Sequence, residues 1–120
     1  MRKGILNVFF LLLFSACSAL IAPKQDFKVL KTEPSDGSSG WRNNYVVIYF
    51  SRGVAGQSFR VKTNCKIEKI EFRVSNTAVV YCSFKPHSNY TFTIPKSVCD
   101  WHFNQLEESY TFSFTTGEIR

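Results

Sequence analysis

Two runs, Tyr90-Thr-Phe-Thr-Ile94 and Tyr110-Thr-Phe-Ser-Phe-Thr-Thr-Gly117, alternate large apolar residues with threonine or serine. Period two is the mark of strands with one buried face, and each run supplies three large residues to that face: Tyr90, Phe92 and Ile94, then Tyr110, Phe112 and Phe114. Pro95 to Ser109 between them has no such pattern, and its proline, Asp100, Asn104 and Gln105 predict a long crossing loop or a single helical turn. Consecutive strands joined by so much chain point to a sandwich of two sheets, since a hairpin needs only a short turn.

Working back from this stretch, Thr77 to Phe84 alternates inward Ala78, Val80, Cys82 and Phe84 with outward neighbours. Ile67 to Val74 sets Ile70, Phe72 and Val74 against Lys69, Glu71 and Arg73, with Ser75-Asn76 as the hairpin turn and asparagine as its left-handed residue. Gln57 to Lys62, carrying Phe59 and Val61, predicts a further strand, and Thr63 to Lys66 a turn. Phe27 to Thr32 predicts the first strand, followed by a turn-rich link with Pro34, Asp36, Gly37 and Gly40. In Tyr45 to Phe50 every residue is apolar or aromatic, so parity alone does not choose the inner face. The expected class is an all-β antiparallel sandwich of about seven strands, its small core filled by the 12 phenylalanines and 5 tyrosines.

The ordering of these motifs resembles the bacterial Ig-like domain of the S-layer SbsA type. The likeness rests on Tyr90 to Val98, on Asp100-x-x-x-Asn104-x-Leu106, on Tyr110 to Gly117, on Glu33-Pro34-Ser-Asp36-Gly37 and on Val46 to Val54, and covers nearly all of residues 27 to 117. Phe103 departs from it, standing where the family usually has glycine. The resemblance implies that Val46, Ile48 and Phe50 point inward and Tyr45, Val47 and Tyr49 outward. It also implies that this strand neighbours Thr77 to Phe84 in one sheet. The outward residues Tyr45, Val47, Tyr49, Val79 and Tyr81 would then form an exposed apolar and aromatic patch, rimmed by Lys69, Glu71 and Arg73, as the candidate partner-binding surface. The family implies a fold far more strongly than an activity.

Residues 1 to 16 carry the marks of an export signal. Arg2 and Lys3 give the positive end, Ile5 to Phe14 a short apolar run, and Ser15-Ala16 the small residues before a cleavage point. The run is shorter than the roughly 20 residues a membrane span needs. Leu13-Phe-Ser-Ala-Cys17 resembles a bacterial lipobox, with Phe14 in place of the commoner Leu, Val or Ile, and so implies a lipid anchor on Cys17. Residues 17 to 26 would be the lipidated cysteine and its tether, and 27 to 117 the sandwich. Ser18, where aspartate would retain an enterobacterial lipoprotein in the inner membrane, points to the outer membrane of a two-membrane cell. The chain stops three residues after the Thr-Thr-Gly motif, so no second domain is expected.

The formal net charge of +6, two units of it from Arg2 and Lys3, is spread along the chain and reads as a solvated basic surface facing anionic lipid or polysaccharide. An exported chain without a recognition motif is not a nucleic-acid binder. Cys65, Cys82 and Cys99 are the disulfide candidates, an odd set after Cys17 that implies one bridge and one leftover thiol. Sequence leaves all three pairings open, and the adaptable connections holding Cys65 and Cys99 favour that pair, with Cys82 a buried thiol. Cys99 and His102 have one short metal-type spacing where a zinc site would show two, and Asp100 with Asn104 falls far short of a calcium shell, so no metal or cofactor is expected. His87 lies in a polar turn, and no nucleophile stands in an activating motif. The reading is a cell-envelope lipoprotein with one non-catalytic module for binding, structure or adhesion, with a protein or cell-wall partner. The alternative is a periplasmic accessory subunit or inhibitor of an envelope enzyme.

Overall fold

The computed structural model describes residues 26–120, and the export signal, Cys17 and all but the last residue of the tether lie outside them. Eight strands, β1 (Val29–Glu33), β2 (Ser38–Trp41), β3 (Tyr45–Phe50), β4 (Lys62–Thr63), β5 (Lys66–Arg73), β6 (Thr77–Ser83), β7 (Asn89–Ile94) and β8 (Tyr110–Thr116), form two facing sheets. One runs β1-β3-β6-β5 and the other β2-β8-β7-β4. All neighbours are antiparallel except β2 and β8, which run parallel. Among the described residues the only helical turn is the 3₁₀ segment Gly56–Ser58.

The alternating runs of β6, β7 and β8 bury the residues their parity assigns, whereas at the edge strand β5 the apolar set stays exposed, Ile70 and Phe72 in the strand and Val74 in the turn after it. Val46, Ile48 and Phe50 of β3, Ala78, Val80 and Cys82 of β6 with Phe84 just beyond it, and Tyr90, Phe92, Ile94, Phe112 and Phe114 of β7 and β8 share one core. Its centre is an aromatic stack: Phe92 lies 5.3 Å from Phe112 and 5.9 Å from Phe114, ring planes nearly parallel, and Phe84 meets Phe114 edge-on at 5.6 Å. Rings of this size let two short sheets fill the space between them, as a small domain with little interior requires.

Three expected elements differ. The first strand begins at Val29, because Phe27 leaves the sheet line to stack on Phe50 at 5.5 Å inside the core. The glycine-rich link holds a whole edge strand, β2, joined to β8 through backbone groups; Gly37 N–H donates to the Ser113 carbonyl at 2.7 Å, and Asp36 Oδ1 accepts the Ser113 N–H at 2.9 Å. Where β2 ends, Gly117 passes so close to Gly40 that an added Cβ on Gly117 would stand 3.1 Å from the Gly40 Cα, so a side chain there would press on the backbone of β2. The strand expected over Gln57 to Lys62 is the 3₁₀ turn, an extended piece and the two-residue β4. Ser58 causes this: its hydroxyl donates to the Ala55 carbonyl at 2.7 Å and accepts the Cys99 N–H at 3.0 Å, tying the segment to the β7–β8 connection.

That connection neither crosses the sandwich nor changes sheets, because β7 and β8 are direct antiparallel neighbours from Asn89↔Thr115 to Ile94↔Tyr110. Its length serves to close one end of the core, into which it sends Val98 and Leu106. The same end carries the β3–β4 connection and the β5–β6 turn, whereas Trp41 and Gly117 mark the other end.

Candidate functional site

The outer face of the β1-β3-β6-β5 sheet is a grid whose rows follow from strand register. Tyr45, Tyr81 and Lys69 form one row; Glu33, Val47, Val79 and Glu71 the next; Lys31, Tyr49, Thr77 and Arg73 the third. The expected neighbours and the charged rim are thus all on this face. The expected exposed apolar patch is corrected: Val47 is 5% exposed and Val79 0%. A valine pair flanked in its own row by two glutamates, with tyrosines in the rows on either side, is too short to reach solvent. What solvent meets is the half-buried rings of Tyr45, Tyr49 and Tyr81.

Those rings are fixed by charge. Lys31 Nζ stands 4.7 Å from the centre of the Tyr49 ring and Lys69 Nζ 4.9 Å from that of Tyr81, both within cation–π range. The Tyr81 hydroxyl donates to Glu71 Oε1 at 2.9 Å and accepts from Arg73 Nη2 at 3.1 Å, while Tyr45 packs against Tyr81 at 5.8 Å. Trp41 meets Tyr45 edge-on and donates its indole N–H to the Tyr45 carbonyl at 2.9 Å. Of these residues tyrosine, tryptophan and arginine are of the types enriched at protein contacts, whereas lysine and glutamate are depleted there.

Partial desolvation, together with the charge of Glu33 and a hydrogen bond to it, raises the pKa of Tyr49 above its ordinary value. A raised folded-state pKa means that the neutral phenol is favoured in the fold. Stability from it is present below the unfolded pKa of about 10 and lost as pH climbs through the folded value. Denaturant midpoints measured from pH 8 to 11 should therefore fall at the alkaline end, and Tyr49→Phe should shallow that fall. An unchanged alkaline limb in the variant would show that Tyr49 contributes nothing to it.

The cysteines are arranged otherwise than expected. Cys65 bonds Cys82, with a Cα separation of 6.3 Å, so Cys82 is not a thiol, Cys65 is not the partner of Cys99, and the expected leftover thiol is corrected, since none of the described cysteines is free. The reason is topological. β4 and β7 are antiparallel neighbours, so the chain leaves them at opposite ends of the sandwich, carrying Cys65 to one and Cys99 to the other. Register sets Ile67 beside Cys82, which brings Cys65 within reach of that residue.

Asp100 and Asn104 close a loop. Asp100 Oδ1 accepts the N–H groups of His102 and Asn104, each at 2.8 Å, its Oδ2 accepts the Asn104 side-chain amide at 3.0 Å, and both residues are buried. Phe103 between them holds φ at +67°, a left-handed conformation uncommon for an aromatic residue. Asp100→Ala would leave two backbone donors unpaired. We expect a loss of about 2 kcal/mol, read from urea unfolding, and wild-type stability would show that the loop is held by other contacts.

His87, at φ +51°, sits in the β6–β7 turn with Nε2 2.8 Å from Glu118 Oε2, exposed to solvent. His102 lies on the β7–β8 connection at the far end of the same strand, so the two histidines do not share a site.

Two sheets with this order and a buried aromatic centre define an immunoglobulin-like sandwich. The profile of the bacterial Ig-like domain family matches residues 23–116, and the chain belongs to that family. By sequence, no curated protein matches it. Among solved structures, CopC from Methylosinus trichosporium OB3b is similar at a TM-score of 0.63 and 11% identity, over 78% of this chain and 95% of that one. PcoC, a methionine-rich copper resistance protein from Escherichia coli, is similar at 0.61 and 10%, over 80% and 100%. The N-terminal part of the bacterial S-layer protein SbsC is similar at 0.55 and 17%, over 78% of this chain and 24% of that one. At these identities the likeness is one of fold.

Proposed function

We propose that this chain is a lipid-anchored protein of the bacterial envelope, held at the outer membrane in a two-membrane cell. Its Ig-like domain is a non-catalytic module that binds a protein or cell-wall partner through the tyrosine face. The observation that carries the reading is that charged neighbours hold Tyr49 and Tyr81 while Tyr45 packs between Trp41 and Tyr81, which presents aromatic area at little cost in side-chain entropy. The family match and the envelope setting of the S-layer relative support it. So do Leu13 to Cys17, whose cysteine is placed for acylation. Tyr49→Ser and Tyr81→Ser, singly and together, test the face after cross-linking in intact cells. Retained folding with loss of one defined cross-linked product is expected. Unaltered products from the folded double variant would overturn the assignment, and recovery of a single soluble enzyme would favour the inhibitor or accessory role.

The copper proteins of like fold raise a second reading, copper binding. The residues speak against it: the single methionine is Met1, within the export signal, and His87 and His102 lie at opposite ends of the sandwich. Thermal unfolding with and without Cu(I) and Cu(II) should give the same midpoint, and a rise at equimolar metal would restore the copper reading.

A further inference from the structure

The end of the sandwich that carries Asp100 displays three large apolar side chains: Val74 is 76% exposed, Trp101 59% and Phe103 54%. They stand on two connections, Val74 on the β5–β6 turn and Trp101 and Phe103 on the β7–β8 connection, both bound to the β3–β4 connection. The Val54 N–H donates to the Ser75 carbonyl at 2.8 Å and the Ala55 N–H to the Cys99 carbonyl at 2.9 Å, while an added Cβ on Gly53 would lie 2.8 Å from Ser75 Oγ and 3.1 Å from Trp101 Cδ1. Val74 and Phe103 both hold left-handed backbone, φ +47° and +67°, where glycine or asparagine costs least and a β-branched or aromatic residue is uncommon. Apolar tips held out from a hydrogen-bonded base are unlike the scattered surface hydrophobes of an ordinary monomer.

The chain enters the domain at this same end. Arg52 Nε donates to the Asp26 carbonyl at 3.0 Å and the Lys28 N–H to Ser51 Oγ at 3.0 Å, beside the β3–β4 connection. Arg120, bonded to the Arg42 carbonyl, lies at the other end. Nine residues separate Cys17 from Phe27, and a fully extended chain of that length reaches about 30 Å at most. An acyl chain on Cys17 therefore ties the domain to the bilayer from this end.

We infer that Val74, Trp101 and Phe103 dip into the headgroup and acyl boundary of the membrane that holds the anchor, seating the domain upright with its tyrosine face lateral. The inference rests on the lipid-anchor reading above. Tryptophan suits that boundary because its amphipathic ring sits at headgroup level, and phenylalanine is found beside it on apolar faces that insert there. Lys28 and Arg52 flank the tether, but Glu107 and Glu108 share the β7–β8 connection, so the contact is apolar and should form on zwitterionic lipid.

The test uses the full mature chain, with its lipid, in phosphatidylcholine vesicles whose acyl chains are brominated near the headgroup. With two tryptophans in the chain, about half of the emission should be quenched, and Trp101→Phe should remove the quenchable part, leaving Trp41 at the far end. Val74→Asn with Phe103→Gly keeps residues suited to left-handed backbone and should lower the quenching of Trp101 while the fold persists. An anchored, folded protein whose Trp101 is unquenched by bromolipid and open to aqueous iodide overturns the inference and leaves the anchor reading intact. A mature N-terminus without lipid overturns the anchor instead. The same unlipidated chain is then sedimented with vesicles: binding lost in the Val74→Asn, Phe103→Gly variant upholds the apolar contact, and no binding overturns it.

Discussion

Phe92→Ala is expected to cost about 3–5 kcal/mol, read as a fall in the urea midpoint at unchanged slope. Phe92 is fully buried and contacts three other rings, Phe84, Phe112 and Phe114, drawn from β8 and from the chain just after β6. Removing it opens a cavity that two hydrogen-bonded sheets cannot close without breaking register. A domain of this size has about 5–15 kcal/mol in total, so the variant should be partly unfolded at modest denaturant. A cost below about 1 kcal/mol would mean that the stack is not the centre of the core.

Replacing Cys65 and Cys82 together by alanine should cost about 3 kcal/mol, the loop-closure value for a bridge spanning roughly this many residues. The bridge closes a sequence separation of 17 between the turn before β5 and the inward face of β6. Non-reducing peptide mapping of protein taken from the envelope should yield the Cys65–Cys82 peptide pair. A Cys65–Cys99 pair would contradict the strand order, since it would need to join opposite ends of the sandwich.

The parts of the fold legible in sequence are those whose strands have one buried face. In β7 and β8 alternation alone identifies the inward residues, because threonine or serine stands between them, whereas β6 sets Val79 and Tyr81 on its outward parity. β3 lacks that contrast, and only its resemblance to a known family oriented it. β2 left no apolar signal, since Ser38, Ser39 and Gly40 join the sheet through backbone groups at an edge. β4 is two residues long and leaves no period to read.

The site was legible to the same degree. Parity placed Tyr45, Tyr49 and Tyr81 on one face with Val47 and Val79, but parity says which way a side chain points and not how crowded its neighbours are. Val47 and Val79 are buried by longer neighbours that only the register brings together. Disulfide pairing needed the end at which each connection leaves the sandwich, which depends on strand order. The left-handed residue of the β5–β6 turn is Val74 and not the expected Asn76, whose side-chain amide donates to the Phe50 carbonyl at 3.3 Å. Phe103 stood out only as a departure from the resembled pattern, and its left-handed backbone was not read from the sequence.

Everything proposed about place and orientation depends on Cys17. The most direct test is the mass of the N-terminal peptide of the protein purified from envelopes of cells fed labelled palmitate. The account predicts that the peptide begins at Cys17 and carries a diacylglyceryl thioether and an amide-linked acyl chain, all absent from Cys17→Ser. A mature chain that begins at another residue, or a Cys17 found in a disulfide with Cys99, would contradict it.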